Sequence, residues 1–170
     1  MSRLEKVTHV ALIAVCCIAG YTLIRQHIAR NATVPSVHEG ERVTVAGYDW
    51  SQANTTALLA ISSQCHFCEQ SLPLYRTLGN VARRAKGSFR VIAVSAESRE
   101  TLANYLEKQG VNLQGVFNSS LSKLGVRGTP TVLVVDRNGV VQSVFVGKLN
   151  NAREGQLMSR IALLCPECAE

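Results

Sequence analysis

The sequence predicts an α/β domain built on a mixed sheet, standing behind a single apolar segment near the N-terminus. Three observations carry this expectation. Strand and helix patterns alternate from Thr56 to Gln109, an Asn138-Gly139 turn joins two later apolar runs, and the stretch Val7–Ile24 contains no Asp, Glu, Lys or Arg. With 170 residues the chain holds one domain of ordinary size plus an appendage, and is too short for two full cores. Hydrophobic residues at 46% and charged residues at 18% exclude a disordered or collagen-like chain. The formal charge of +6 raises nucleic acid as a partner, but aromatics are only 5% and the basic residues are spread from Arg3 to Arg160 without forming a stripe. No nucleic-acid binding is expected.

The segment Val7–Ile24, VTHVALIAVCCIAGYTLI, reaches about 27 Å as a helix at ~1.5 Å per residue, just enough to span a bilayer core. Residues 1–30 are therefore expected to form a single-pass N-terminal membrane anchor, one transmembrane helix. A cleaved signal peptide is the rival, because Arg3 and Lys6 precede the apolar stretch, yet no clear small-x-small site follows. Cys16 beside Cys17 raises a lipoprotein cleavage box, but Val15 stands where Gly or Ala is wanted. Small apolar side chains in a lipid-facing helix account for both cysteines equally. Arg3 and Lys6 balance Arg25 and Arg30, so flanking charge leaves orientation tied. The expected location, a cell-membrane protein with its domain on the extracytoplasmic, periplasmic side, rests instead on its paired thiols, since disulfides persist in oxidising spaces.

Residues 31–41, small and polar, read as a linker, and residues 42–170 as the domain. Val43-Thr44-Val45 reads as an edge strand. Thr56–Ser63 is an apolar run of buried-strand length. From His66 to Lys86 apolar residues recur at helical spacing, and Arg83, Arg84 and Lys86 suit the carbonyl end. Phe89–Ser95 is a second strand and Ser98–Gln109 a helix stopped by Gly110, which implies parallel strands joined by right-handed crossovers. Val111–Asn118 carries a weaker pattern, and a short helix is expected around Ser120–Leu124. Thr131–Val135 and Val140–Val146 form a hairpin, and a last helix near Ala152–Leu164 is cut by Pro166. The expected sum is a mixed sheet with helices on both faces.

Six cysteines stand at positions 16, 17, 65, 68, 165 and 168, and four of them make two Cys-x-x-Cys spacings. A chain of this length needs no staples, so chemistry is the stronger expectation. Cys65 opens the first long helix, where unpaired N–H groups and the helix dipole favour a thiolate. Two intervening residues let both sulfurs meet across one turn, with Cys65 as nucleophile and Cys68 as resolving thiol of a mixed disulfide. Inert buried cysteines, or a four-thiolate zinc site joining Cys65 and Cys68 to Cys165 and Cys168, are the alternatives.

The strand, the Cys-x-x-Cys, Pro73 in the following helix and Gly128-Thr129-Pro130-Thr131 before a hairpin together resemble the thioredoxin fold, in particular the membrane-anchored TlpA/ResA-type thiol-disulfide oxidoreductases, over roughly Arg42 to Leu164. The resemblance implies a three-layer sandwich around a mixed central sheet. It implies disulfide exchange with client protein thiols and a redox partner protein, with no cofactor and no metal. It also implies that Pro130 is a cis-proline beside the cysteine pair, that the backbone of Thr129 pairs with substrate, and that the helix carrying Pro73 is kinked; a trans-proline opening an edge strand is the alternative.

The chain departs from that family's pattern where Leu59 and Ser71 replace its usual acids, and Gln64 its usual Trp. His66, as an imidazolium, is a candidate modulator of the Cys65 thiolate, or else a solvent-facing residue. Cys165 and Cys168 are a candidate secondary redox pair on a mobile tail, or a local disulfide or two free thiols. Two further functions compete. A peroxiredoxin-like peroxidase is suggested by Ser62, three residues before Cys65, although that family's upstream proline is replaced by Leu58. A Sco-like metal chaperone fits less well, because its cysteines are spaced more widely.

Overall fold

Strand β1 (Thr55–Ala60) is buried along its whole length, and its side chains alternate between two apolar clusters. Ala57 and Leu59 face one, Leu58 and Ala60 the other. A strand buried on both faces belongs at the centre of a sheet. Around it stand β2 (Phe89–Ser95), β3 (Gly115–Asn118), β4 (Thr131–Asp136) and β5 (Val141–Val146), in the order β3-β2-β1-β4-β5. β1, β2 and β3 are parallel, while β4 runs antiparallel to both β1 and β5. The sheet is mixed, as expected, and the Asn138-Gly139 turn closes the β4–β5 hairpin with Gly139 at φ +78°.

This computed structural model describes residue 18 and residues 36–168. The anchor expected over residues 1–30, apart from Ile18, and the first part of the 31–41 linker lie outside the described residues. The chain divides into two units, Met1–Val34 and Pro35–Glu170, and the fold described is that of the second. Among the described residues no helix is long and apolar enough to cross a membrane.

Four helices accompany the sheet: α1 (His66–Gln70), α2 (Leu72–Arg84), α3 (Arg99–Lys108) and α4 (Asn151–Leu164). Ser98 caps α3 through the Thr101 N–H, and Asn150 caps α4 through the Arg153 N–H. The buried side chains of all four belong to the cluster on one face, where Leu78, Leu102, Leu106 and Leu157 are almost fully buried. Each such leucine is worth about 1.5–3 kcal/mol of burial. Gly79 in α2 allows the Asn112 carbonyl to approach where a Cβ would collide.

Helices were expected on both faces, and here the structure differs. The crossovers β1-α2-β2 and β2-α3-β3 step in the same direction along the sheet, so right-handed connections put both helices on one side. The opposite cluster is covered by Val37, Val43 and Val45 and by the 3-10 turn Leu121–Leu124. Val43–Val45 is accordingly not a strand; a single bridge, Arg42 to Val140, ties the segment to the hairpin. Packing begins upstream of Arg42, where Val37 is buried and its N–H donates to the Gly125 carbonyl at 2.9 Å.

The helix expected over His66–Lys86 is two helices. Ser71, at φ −94° and ψ 0°, ends α1 and caps α2, so Pro73 falls in the first turn of a new helix instead of kinking one. There its missing N–H leaves no helical bond unmade.

Candidate active site

The β1–β4 register assembles the site. Ala60 pairs with Thr131, so the residues just past β1 face those just before β4. Cys65 thereby meets Thr129, and its thiol donates to the Thr129 carbonyl at 3.4 Å. The Thr129-Pro130 peptide bond is cis, as the resemblance implied, and Pro130 is buried. Its carbonyl accepts from Gly147 N–H at 2.8 Å, which ties the turn to the end of β5.

Cys65 is the N-cap of α1, and its sulfur accepts the Cys68 backbone N–H at 3.2 Å. The two thiols differ sharply in environment: Cys65 is half-buried, whereas Cys68 is 1% exposed within the main core cluster. Burial alone would raise the Cys65 thiol, but the side chains of Cys68 and Thr129 and the backbone N–H groups of Cys68 and Phe67 outweigh it and hold the group below its ordinary value. Burial pushes Cys68 up to about 12, reinforced by its hydrogen bond and proximity to Cys65. The half-buried sulfur ionises more readily than its ordinary value allows, and the buried one keeps its proton.

His66 does not reach the thiolate. Its side chain is 73% exposed, one ring nitrogen lies 2.8 Å from the Gln70 amide and the other 4.0 Å from Glu69. The groups that lower Cys65 are backbone and neighbouring side-chain donors, and His66 stands on the outer helix face, the second of the two placements the sequence left open. Phe67, by contrast, is an exposed apolar ring, 57% accessible, beside Cys65.

Sequence reasoning missed the loop between β1 and α1 and what holds it. Glu97, between β2 and α3, accepts from the Ser62 hydroxyl at 2.5 Å and from the Ser63 N–H at 2.9 Å. Burial would raise this carboxyl, but the Ser62 and Ser63 donors keep it below its ordinary value. Ser62 and Glu97 are 35 residues apart, and no local pattern marks the pair.

Cys165 and Cys168 lie elsewhere. They form a disulfide, S–S 2.04 Å, at the end of α4, with Cys165 1% exposed and Pro166–Cys168 in a 3-10 turn. The expected mobile tail is thus packed: Ser88 donates to the Glu167 carboxylate at 2.8 Å, and the Leu164 carbonyl accepts from Thr55 at 3.3 Å. Thr55 and Ser88 mark the start of β1 and β2, whereas Cys65 follows the end of β1. About 20 Å of strand, six residues at ~3.3 Å each, therefore separates the pairs. Neither the four-thiolate zinc site nor a relay within one chain is formed, and among the described residues no cluster of three or more His, Cys, Asp or Glu could hold a metal.

Comparisons with known proteins follow the same lines. The model of the AhpC/TSA family matches residues 26–144, more than half of the chain. Among solved structures, a thiol:disulfide interchange protein DsbE of Chlorobium tepidum superposes with a TM-score of 0.60 at 25% identity, covering 76% of this chain and 99% of that one. A thiol-disulfide isomerase of Corynebacterium glutamicum gives 0.53 at 18% identity, covering 81% and 98%, and StoA of Bacillus subtilis 0.51 at 14%, covering 64% and 83%. At those identities the latter two speak for the fold alone, which is thioredoxin-like. No curated protein matches.

Proposed function

From the premise that the chain belongs to the AhpC/TSA family, and is an oxidoreductase of the thioredoxin-like kind, we propose that it exchanges disulfides with client proteins through Cys65 and Cys68, from a membrane anchor on the extracytoplasmic side. The observation that carries the reading is the unequal pair: a half-exposed Cys65 held below its ordinary pKa stands three residues from a Cys68 that is sealed and protonated.

The chemistry follows from that inequality. The Cys65 thiolate attacks a client disulfide, one client sulfur leaves, and a mixed disulfide forms. Cys68 then gives up its proton and attacks Cys65, so the second client sulfur departs and a Cys65–Cys68 disulfide remains. Run in reverse, the same steps oxidise a client dithiol, and a redox partner protein resets the pair. An extended client segment fits beside cis-Pro130, its backbone paired with Thr129 and its apolar side chains against Phe67. The anchor, Val7–Ile24, rests on its sequence alone.

The family match also fits a thiol peroxidase. That reading needs the Ser62 hydroxyl at the sulfur, and this hydroxyl is spent on Glu97. The test is trapping in the full-length protein. A Cys68→Ser variant is expected to accumulate client mixed disulfides that vanish in Cys65→Ser; rapid peroxide turnover by Cys65 with Cys68 removed would reject the dithiol reading. A reporter fused after residue 30 that reads out on the cytoplasmic side would reject the proposed orientation.

A further inference from the structure

On the dithiol reading, Cys65 reacts from the end of a loop, residues 61–64, that belongs to no strand or helix, so something outside the loop has to hold it in place. The sheet lets go early: the Ile61 N–H still donates to the Val94 carbonyl at 3.0 Å, and Ser62 is the first residue beyond that ladder. Glu97 takes over there. Its Oε1 accepts from the Ser62 hydroxyl at 2.5 Å and from the Ser63 N–H at 2.9 Å. Ser62 in turn meets the end of the loop, its carbonyl accepting the Cys65 N–H at 3.2 Å and its hydroxyl oxygen the Gln64 N–H at 3.2 Å. A single serine thus links the carboxylate to the backbone of the nucleophile.

Glu97 is itself held. Its N–H donates to the Ser95 hydroxyl at 3.1 Å, and the Asn118 amide, at the end of β3, donates to the carbonyls of Glu97 at 2.5 Å and Ala96 at 3.1 Å. The grip is therefore anchored on the ends of β2 and β3. The carboxylate owes nothing to its own helix, because Ser98 caps α3. Its other oxygen, Oε2, is buried without a hydrogen-bond partner, an expense that closing a loop with a neutral side chain would avoid. What the charge gives in return is strength, since hydrogen bonds to an ionised acceptor are about twice as strong as neutral ones. We propose that Glu97 is a positioning residue of the exchange reaction: through Ser62 it fixes the Cys65 backbone, and so keeps the Cys65 sulfur seated on the Cys68 N–H.

Glu97 touches no reacting atom. The Cys65 thiolate bonds to one client sulfur as the client S–S bond breaks and the other client sulfur leaves with the electron pair; Cys68 then releases its proton to water, bonds to Cys65 and displaces the remaining client sulfur. Glu97 acts before the first of these steps, on where the Cys65 sulfur sits and how readily it ionises. Without the grip, the Cys65 N–H loses its fixed acceptor, the sulfur meets the Cys68 N–H for less of the time, and the thiol returns towards its ordinary value. The groups that act on Cys65 are Cys68, Thr129 and the Phe67 N–H, and those that act on Glu97 are Ser62 and Ser63. His66 and Glu69 on α1 are exposed and engage each other, and α3 adds Tyr105, whose hydroxyl is raised by burial and then by the charges of Glu69, Cys68, Cys65 and Glu97.

The test uses the reduced full-length protein in detergent and an aromatic disulfide, 5,5′-dithiobis(2-nitrobenzoate), followed by stopped flow from pH 5 to 10. Attack by Cys65 releases one coloured thiolate, and resolution by Cys68 releases the second. Glu97→Ala is expected to slow the first release about tenfold at pH 7 and to regain the parent rate near pH 10, its pH midpoint having moved up by about one unit. Glu97→Gln, which keeps an acceptor at Oε1, is expected to stay within about threefold of the parent. Ser62→Ala should slow the first release less than Glu97→Ala, since Ser63 stays held, and the Ser62→Ala/Glu97→Ala double variant should be no slower than Glu97→Ala alone, because both act along one chain of contacts. A first release at the parent rate in Glu97→Ala, a loss that persists at pH 10, a glutamine variant as slow as the alanine one, or losses that multiply in the double variant each overturns the proposal while leaving the dithiol reading intact. A parent protein that releases a single equivalent overturns the dithiol reading, and the positioning role in disulfide exchange with it.

Discussion

Two Cys-x-x-Cys motifs of identical spacing occupy opposite ends of the same central strand, and they have opposite characters. Cys65–Cys68 opens a helix beyond the C-terminal end of β1, with its first sulfur accepting a backbone N–H and facing a cis-proline turn. Cys165–Cys168 closes a helix near the N-terminal end of β1, already joined, with Cys165 sealed in the core and Glu167 held by Ser88. A helix start offers unpaired donors that stabilise a thiolate; a helix end offers carbonyls that do not. Spacing permits a bond between two cysteines, and the surrounding donors decide whether that bond is made to be exchanged.

The sharpest way to break this contrast is to remove each pair in turn. Cys65→Ser is expected to lower disulfide reduction by about three orders of magnitude, as loss of a nucleophile does, whereas a Cys165→Ser/Cys168→Ser double variant is expected to stay within about twofold of the parent because its sulfurs lie at the other end of β1 from Cys65. An insulin reduction assay on both variants decides it; equal losses would erase the distinction.

The second test reads ionisation. Because Cys65 is held below its ordinary pKa, more of it is thiolate at a given pH, so alkylation by iodoacetamide should rise with pH and level off below the usual thiol range. Cys68, pushed up to about 12, should stay unlabelled until far higher pH. Mass spectrometry of the labelled peptides is expected to show Cys65 modified about a thousandfold faster or more at pH 7, following thiolate fraction. Comparable rates would mean that the two thiols share one environment.

A smaller effect separates structure from chemistry at the other pair. Its closed loop is short, so the chain-entropy model predicts a loss of about 2 kcal/mol on removing the disulfide, read as a fall in the denaturant midpoint of the Cys165→Ser/Cys168→Ser variant. No change in stability would show that the disulfide does not stabilise the fold. The smallest expected effect is at His66: with its ring turned to Gln70 and Glu69, His66→Ala should change the Cys65 alkylation rate less than about twofold. A larger slowing would return the imidazole to the thiolate.

The fold was legible where its signals are local. An apolar run bounded by polar residues marks a central strand, Asn138-Gly139 marks a hairpin, and Gly110 stops a helix where expected. The split of the long helix at Ser71 was not legible, because the 3.6-residue pattern runs on across a break that only rearranges which turn Pro73 occupies. The cover of the second face by Val37–Val45 was missed for a related reason: a segment that packs without forming a ladder has no period to read.

By itself the amino-acid order determined that two cysteines three apart follow a buried strand and start a helix, and that a Thr-Pro step precedes the hairpin. These are properties of neighbours along the chain, and propensity, capping and turn chemistry act over a few residues. Only the tertiary structure decided how deeply Cys68 is buried, that Glu97 holds Ser62 and Ser63 from across 35 residues, and that the second pair is sealed at the far end of β1. Each of these depends on burial and on partners supplied by other elements, and desolvation together with hydrogen bonding across a fold is a sum over space that one-dimensional spacing does not contain.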